Sequence, residues 1–216
     1  MIVTIDGPAG SGKSTVSRLL AKKLGFNFLD TGAMYRAVTL LFIQNGIHHR
    51  NTEKINALLD NIQISFDDEK VFLNGRDVGD EIRMPEIDRQ VSEVSALKQV
   101  REKIVPLQRE ITKKSDFVAE GRDMGSVVFP DADVKIYLDA SVEERARRRL
   151  AQYPGRDLSL EEIMRDIERR DRIDSSRAIS PLKIPDGAVV IDTTGLSIDG
   201  VLDRIYEVLQ SSRISK

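Results

Sequence analysis

Residues 7–14 read Gly-Pro-Ala-Gly-Ser-Gly-Lys-Ser and match G-x-x-x-x-G-K-[ST] at every fixed position. The flanks fit the motif. Ile2–Ile5 is a short apolar, β-branched run that ends at Asp6, as a buried strand would. Ser14–Leu24 carries Val16, Leu19, Leu20 and Leu24 at helical spacing, and Gly25 stops it. A strand, a glycine-rich turn and a helix in this order dictate a local chemistry. The glycines let backbone N–H groups converge on an anion, and the helix aims its positive end at the same point. Lys13 reaches the β- and γ-phosphates of a triphosphate, and the Ser14 hydroxyl suits Mg²⁺. The expected contacts to the nucleoside triphosphate are Gly7, Pro8, Ala9, Gly10, Ser11, Gly12, Lys13, Ser14 and Thr15, with Ser14 as the metal ligand.

Two further segments extend the pattern. Phe26–Leu29 reads as a second strand, and Ala33–Gln44 as a helix with Met34, Ala37, Val38, Leu41 and Phe42 on one side. The opening is therefore β-α-β-α, the signature of a parallel sheet flanked by helices. From about residue 60 the rhythm changes. Ile62–Phe66 alternates with period two, Lys70–Leu73 follows, and Asp67-Asp68 and Asn74-Gly75 read as turns. That predicts a small antiparallel insert over roughly 60–85. Glu86–Lys114 reads as helix, broken near Pro106. Phe117–Ala119, Val134–Leu138 and Ala188–Ile191 are further strand candidates. Val142–Gln152 and Leu160–Ser175 are charged helices separated by Tyr153-Pro154-Gly155, and Val201–Leu209 is the last helix.

Composition closes other routes. The 216 residues suit one large domain or a core with insertions, and 40% hydrophobic content supports a packed interior. There is no cysteine, which removes disulfides, thiolate nucleophiles and Cys-held metals. The two histidines, His48 and His49, are adjacent, and neighbouring side chains point apart in a helix or strand. A multi-histidine zinc site is not expected. The net charge of −2 argues against a nucleic-acid partner. The longest apolar run, Ala37–Ile43, is interrupted by Thr39 and falls far short of the ~20 residues of a membrane span. No signal-peptide pattern follows Met1, so a cytoplasmic location is expected.

Three kinds of protein use such a loop. A GTPase switch would carry Asn-Lys-x-Asp for guanine, which is absent; Asp192-Thr-Thr-Gly195 gives only a formal Asp-x-x-Gly. A motor or helicase ATPase would need a larger core and a nucleic-acid motif. A small-molecule kinase needs a second charged site for its acceptor. Two segments offer one. Asp30-Thr31-Gly32-Ala33-Met34-Tyr35-Arg36 begins at a strand end, where ligands of such sheets bind. Thr31 is also a good helix N-cap, and capping alone would explain Asp30 and Thr31. Glu120-Gly121-Arg122-Asp123-Met124-Gly125 leaves the third core strand, with a plain strand exit as the simpler explanation.

Taken together, Gly7–Thr15, Thr31–Arg36, Gly121–Asp131, Lys135–Ala140 and Arg170–Leu182 resemble the bacterial-type cytidylate kinase family, across residues 2 to about 209. The first motif is shared by a vast superfamily, whereas Gly121–Asp131 is much more specific. The resemblance implies an α/β fold: a P-loop parallel sheet flanked by helices, with a small antiparallel monophosphate-binding insert and a helical lid. It divides a single domain into a core (about 1–59, 115–144 and 178–216), an insert (about 60–114) and a lid (about 145–177). It implies transfer of the ATP γ-phosphoryl group to CMP or dCMP, in pyrimidine nucleotide metabolism. It assigns Arg36 and Arg122 to the acceptor phosphate, beside Thr31, and Ser92, Arg101 and Asp123 to cytosine. Base chemistry agrees. A carboxylate or hydroxyl accepts from the cytosine N4 amino group, where uracil offers only a repelling carbonyl. Taken alone, Ser92 and Arg101 would read as solvated helix positions.

Residues 145–177 hold ten of the 21 arginines and no lysine, against seven acidic residues. A solvated, salt-bridged helix explains much of that pattern, and the interleaved acids speak against an RNA-binding stripe. Arginine forks also grip phosphate oxygens. Arg170, Asp174 and Arg177 are spaced i, i+4, i+7 on one helix face. The resemblance places Arg170 and Asp174 on acceptor phosphate and sugar, and Arg177 as a bridge between substrates. Lys13, Arg122, Arg170 and Arg177 are then the catalytic set. Arg145, Arg147, Arg148, Arg149 and Arg156 are open candidates for ATP, and Asp30 and Glu120 for water around Mg²⁺. The acceptor is already an anion, so no strong general base is required. A monomer is expected.

Overall fold

The computed structural model describes residues 1–67, 70–152 and 158–214. The chain forms two compact units, one of 1–29 with 112–216 and one of 30–111.

The first unit is built on a five-stranded sheet. In chain order it contains β1 (Ile2–Asp6), α1 (Lys13–Leu24), β2 (Asn27–Asp30), β6 (Phe117–Gly121), β7 (Val134–Asp139), α6 (Val142–Ala151), α7 (Leu160–Ser176), β8 (Val189–Asp192) and α8 (Ile198–Ile214). The strand order is β2-β6-β1-β7-β8. β1 pairs in parallel with β6 and β7, which sets Asp6 opposite Gly121 on one side and Tyr137 on the other. A central parallel strand is covered on both faces, which is why Ile2–Ile5 reads as a β-branched, largely apolar run in which even Thr4 is buried. Val3, Ile5, Val118, Ile136 and Leu138 meet Val16 and Leu20 of α1 and Val201, Leu202 and Ile205 of α8 in one core. α8 is much longer than the apolar stretch Val201–Leu209 suggests. The charged helices α6 and α7 pack on each other through Ala146, Ile163 and Ile167. A capping box of Ser159 and Glu162 starts α7. Tyr153-Pro154-Gly155 lies outside the described residues.

The second unit contains α2 (Thr31–Gln44), α3 (Thr52–Asp60), β3 (Ile64–Asp67), β4 (Lys70–Leu73), β5 (Arg76–Asp77), α4 (Pro85–Ala96) and α5 (Lys98–Ile111). The three strands form the expected antiparallel sheet, in the order β3-β4-β5. Asn74 and Gly75, both at positive φ, make the turn between β4 and β5. The turn residue Asp68 lies outside the described residues. Three expectations change here. The cap of α2 is Asp30, whose carboxylate accepts from the Ala33 amide at 2.8 Å, and Thr31 is already helical. The helix break falls at Leu97, which is extended, and Pro106 sits inside α5. A proline there forfeits one backbone bond, which the buried face of Val100, Ile104 and Gln108 outweighs. His48 and His49 lie outside helix and strand, and their rings stack 4.2 Å apart instead of diverging.

Among the described residues, no helix is long and apolar enough to cross a membrane.

Candidate active site

The phosphate loop joins β1 to α1 in the first unit. Gly7 adopts φ +148°, and a Cβ there would meet the Leu138 carbonyl oxygen at 2.0 Å, so only glycine fits. Gly12, in the left-handed region, caps α1. Lys13 curls back over the loop: its Nζ donates to the Pro8 carbonyl at 2.6 Å and to Ser11 Oγ at 3.3 Å. Burial pulls the Lys13 pKa down to about 7, and the Arg122 charge adds to this; Glu120, Asp6 and Asp171 pull the other way. Ser14 and Thr15 are exposed on the first turn of α1.

The loop is held from outside by the two charged helices. Asp171 Oδ1 on α7 accepts from the Ala9 amide at 3.2 Å. Its Oδ2 pairs with Arg145 Nη1 at 2.6 Å. The same Nη1 donates to the Ala9 carbonyl at 2.9 Å, and Arg145 Nε donates to the Ala140 carbonyl at 2.9 Å. Both ends of the Ala9 residue are thus fixed. Arg145 is buried and engaged within the protein, which makes it a support of the loop. Arg148 donates to Thr193 Oγ1 at 2.9 Å and to the Ser11 carbonyl at 3.4 Å, beside Gly12. Arg147 is exposed and paired with Glu143. Arg156 lies outside the described residues.

Beside the loop, β6 delivers Glu120, Arg122 and Asp123. Glu120 and Asp123 are buried. Arg122 Nε donates to Asp174 Oδ2 at 3.0 Å. Burial opposes the Arg122 charge, but Asp174, Asp171 and Glu120 outweigh it and raise its pKa. Arg177 Nη2 lies 3.4 Å from Asp123 Oδ1, and its Nε donates to the Ser180 carbonyl. Arg170 and Asp174 are buried on α7, whereas Arg177, expected on the same helix face, is the extended C-cap of that helix and is buried beyond its end. The solvated-helix pattern describes the other face, where Arg165 pairs with Glu161 and Arg169 with Asp166. One charged segment therefore has two faces with different duties.

The remaining acceptor candidates lie in the second unit. Arg36 Nη1 pairs with Asp88 Oδ1 at 2.5 Å and donates to the Ile82 carbonyl at 3.2 Å. Thr31 is buried at the start of α2. Ser92 and Arg101 are 3% and 2% exposed, so neither is a solvated helix position. Ser95 joins them: its hydroxyl donates to the Ser92 carbonyl at 3.1 Å, and its own carbonyl accepts from Arg101 Nη1 at 3.3 Å. The Arg101 guanidinium also stacks 5.3 Å from the Tyr35 ring centre.

Asp6, Asp171, Tyr35 and Ser95 are participants that the motif reading passes over. Asp6 and Asp171 had a signal, since each directly adjoins a residue of a motif. Tyr35 and Ser95 matter through tertiary contacts that spacing does not encode.

For a metal, the donor set is narrow. Among the described residues, no group of three or more His, Asp or Glu side chains could hold an ion. Ser14 offers one exposed hydroxyl oxygen at the mouth of the loop. That chemistry fits Mg²⁺, which keeps several waters and binds through nucleotide phosphates with few protein ligands.

The cytidylate kinase family model matches residues 3–211. A cytidylate kinase of Caldanaerobacter subterraneus subsp. tengcongensis is 48% identical over 97% of this chain and 95% of its own length. That of Carboxydothermus hydrogenoformans is 48% identical over 97% of both chains. Among solved structures, an uncharacterized protein from Eubacterium ventriosum superposes with a TM-score of 0.54 at 12% identity, covering 98% of this chain and 99% of that one. That likeness concerns the fold alone.

Proposed function

The chain belongs to the cytidylate kinase family, and from that premise we propose that it transfers the γ-phosphoryl group of ATP to CMP or dCMP, giving ADP and CDP or dCDP. The observation that carries the site assignment is the cluster of half-buried Arg122 with buried Asp123, Asp174 and Arg177, whose Arg122 charge acts on Lys13. Phosphoryl transfer asks little covalent chemistry of a protein. It asks for in-line placement, neutralised charge and exclusion of water.

The division of labour follows from the side chains. Residues Gly7–Thr15 wrap the ATP phosphates, with loop amides beyond Ala9 donating to them, since Pro8 has no N–H and the Ala9 amide is held by Asp171; Lys13 leaves the Pro8 carbonyl to pair with the β- and γ-oxygens. The Ser14 hydroxyl holds Mg²⁺, which supplies charge neutralisation when it arrives with the nucleotide. Arg36, Arg122 and Arg170 are assigned to the acceptor phosphate, and Thr31 to the acceptor as well. Asp174 orients the acceptor sugar, and Ser92, Arg101 and Asp123 read cytosine. Arg122, Arg170 and Arg177 stabilise charge on the transferring group. Asp30 is committed to capping α2, so Glu120 is the better candidate to orient water near the loop. We assign the insert to about 60–114 and the lid to about 145–177. A cytoplasmic monomer acting in pyrimidine nucleotide metabolism, without nucleic-acid or membrane partners, fits this reading.

The test is ADP release coupled to an indicator reaction, with CMP, dCMP, UMP, AMP, shikimate and gluconate as acceptors. CMP and dCMP should give the highest kcat/KM. Turnover with AMP equal to that with CMP would end the cytosine assignment.

A further inference from the structure

Asp6 is fully buried at the carboxyl end of the central strand, immediately before the phosphate loop. Both of its oxygens accept backbone amides: Oδ1 from Met124 at 2.8 Å and Oδ2 from Gly125 at 2.7 Å. Those amides open the π-helical turn Met124–Val128, whose first N–H groups have no partner within the turn. The residues just before them are Arg122 and Asp123. The Asp123 carbonyl accepts from the Val127 and Val128 amides at 2.9 and 3.1 Å. The Asp123 peptide is thus fixed on one side by its own turn and on the other by Asp6.

We propose that Asp6 is a positioning residue for acceptor recognition: it clamps the Met124 and Gly125 amides and so sets the direction in which Arg122 and Asp123 leave β6. The proposal rests on the cytidylate kinase reading of this site. Three observations support it. The carboxylate is costly where it stands, because burial, with the neighbouring Asp123 charge behind it, pushes its pKa up to about 6, against the two amide bonds and Lys13. Its ionisation therefore lowers stability as pH rises from the unfolded value through about 6. The turn also leaves no room to rearrange. A Cβ on Gly125 would sit 2.9 Å from Thr4 Oγ1 and 3.1 Å from Pro185 Cγ. Finally, one carboxylate reaches both the root of the phosphate loop and the acceptor turn, so the two halves of the reaction share a rigid reference. The titratable groups that face Asp6 are Lys13 from α1, Asp123 from the turn and Tyr137 from β7.

The experiment compares Asp6→Asn with wild type in steady-state kinetics with CMP, UMP and ATP, on protein shown to be folded by its thermal transition. Asparagine keeps the shape but offers one acceptor oxygen, and its NH2 faces the second amide donor. The expected result is a KM for CMP raised at least about tenfold, a KM for ATP changed less than about twofold, and a CMP over UMP preference narrowed at least about fivefold. Loss of stability alone would not move that preference. Gly125→Ala, which displaces the turn while Asp6 stays intact, should give the same split and serves if Asp6→Asn fails to fold. Folded variants with wild-type KM for CMP and wild-type preference would overturn the proposal, as would parallel changes in both KM values. A wild-type protein indifferent between CMP and UMP would instead overturn the cytosine reading.

Discussion

Asp171 accepts a hydrogen bond from the Ala9 amide at 3.2 Å, so a carboxylate of α7 holds the backbone of the phosphate loop. Its second oxygen holds Arg145, which grips the Ala9 carbonyl. A preorganised loop needs no rearrangement when phosphates bind. Removing Asp171 leaves Arg145 buried without its carboxylate, and charged hydrogen bonds of this kind contribute about 1.5–3 kcal/mol. Asp171→Ala should therefore raise KM for ATP about tenfold or more, with a smaller change in KM for CMP, and lower Tm. Steady-state kinetics with each substrate varied in turn checks this; an unchanged KM for ATP would refute it.

The Arg122–Asp174 pair makes a second prediction. Arg122→Ala should lower kcat/KM for CMP at least tenfold, about 1.4 kcal/mol of transition-state binding. Asp174→Ala leaves Arg122 without that partner, so the two losses should not add. A double-mutant cycle measures the coupling, and additive losses would show that the pair does not act as one unit.

How legible these relationships are in the sequence depends on how local they are. The phosphate loop is a contiguous motif between a strand and a helix, and Gly7 is legible because its neighbours in the chain define its turn. Strand alternation likewise exposes the antiparallel sheet of the second unit. The helix α3 escapes because it is short and only Ile55 and Leu59 are buried. Thr31 and Asp30 compete for one cap, and the choice turns on a backbone angle that composition does not encode. Pro106 misleads because a proline counts against a helix in isolation, whereas packing decides it here. Ser92 and Arg101 look like surface positions until α4 and α5 fold together. Asp6 and Asp171 adjoin motif residues and so could be singled out, but the bonds they make to Met124, Gly125 and Ala9 join parts of the chain far apart in sequence.

Asp123 should set base choice more than rate. Asp123→Asn replaces an acceptor-only group with one that also donates, so it can face the uracil O4 carbonyl. The CMP over UMP ratio of kcat/KM should narrow at least about fivefold. The variant also takes a charge partner from buried Arg177, so a fall in Tm is expected. An unaltered ratio in folded protein would remove Asp123 from the cytosine contacts.

Lys13 provides a proton-linked signal. Burial and the Arg122 charge bring its pKa down to about 7 in the free protein, so much of it is neutral at pH 8. Between pH 7 and the unfolded value near 10.5 the unfolded chain binds the extra proton, and this group's contribution to stability therefore improves as pH rises. ATP phosphates reverse the balance, because they favour the charged ammonium. Binding of a non-hydrolysable ATP analogue at pH 8 should take up a fraction of a proton beyond any exchanged by the nucleotide. Affinity should then weaken as pH rises above 7. Calorimetry in two buffers of different ionisation enthalpy reads the uptake directly. Lys13→Arg supplies the control, since guanidinium stays charged throughout and should remove the extra uptake. Equal proton uptake by wild type and Lys13→Arg would show that Lys13 is already charged in the free protein.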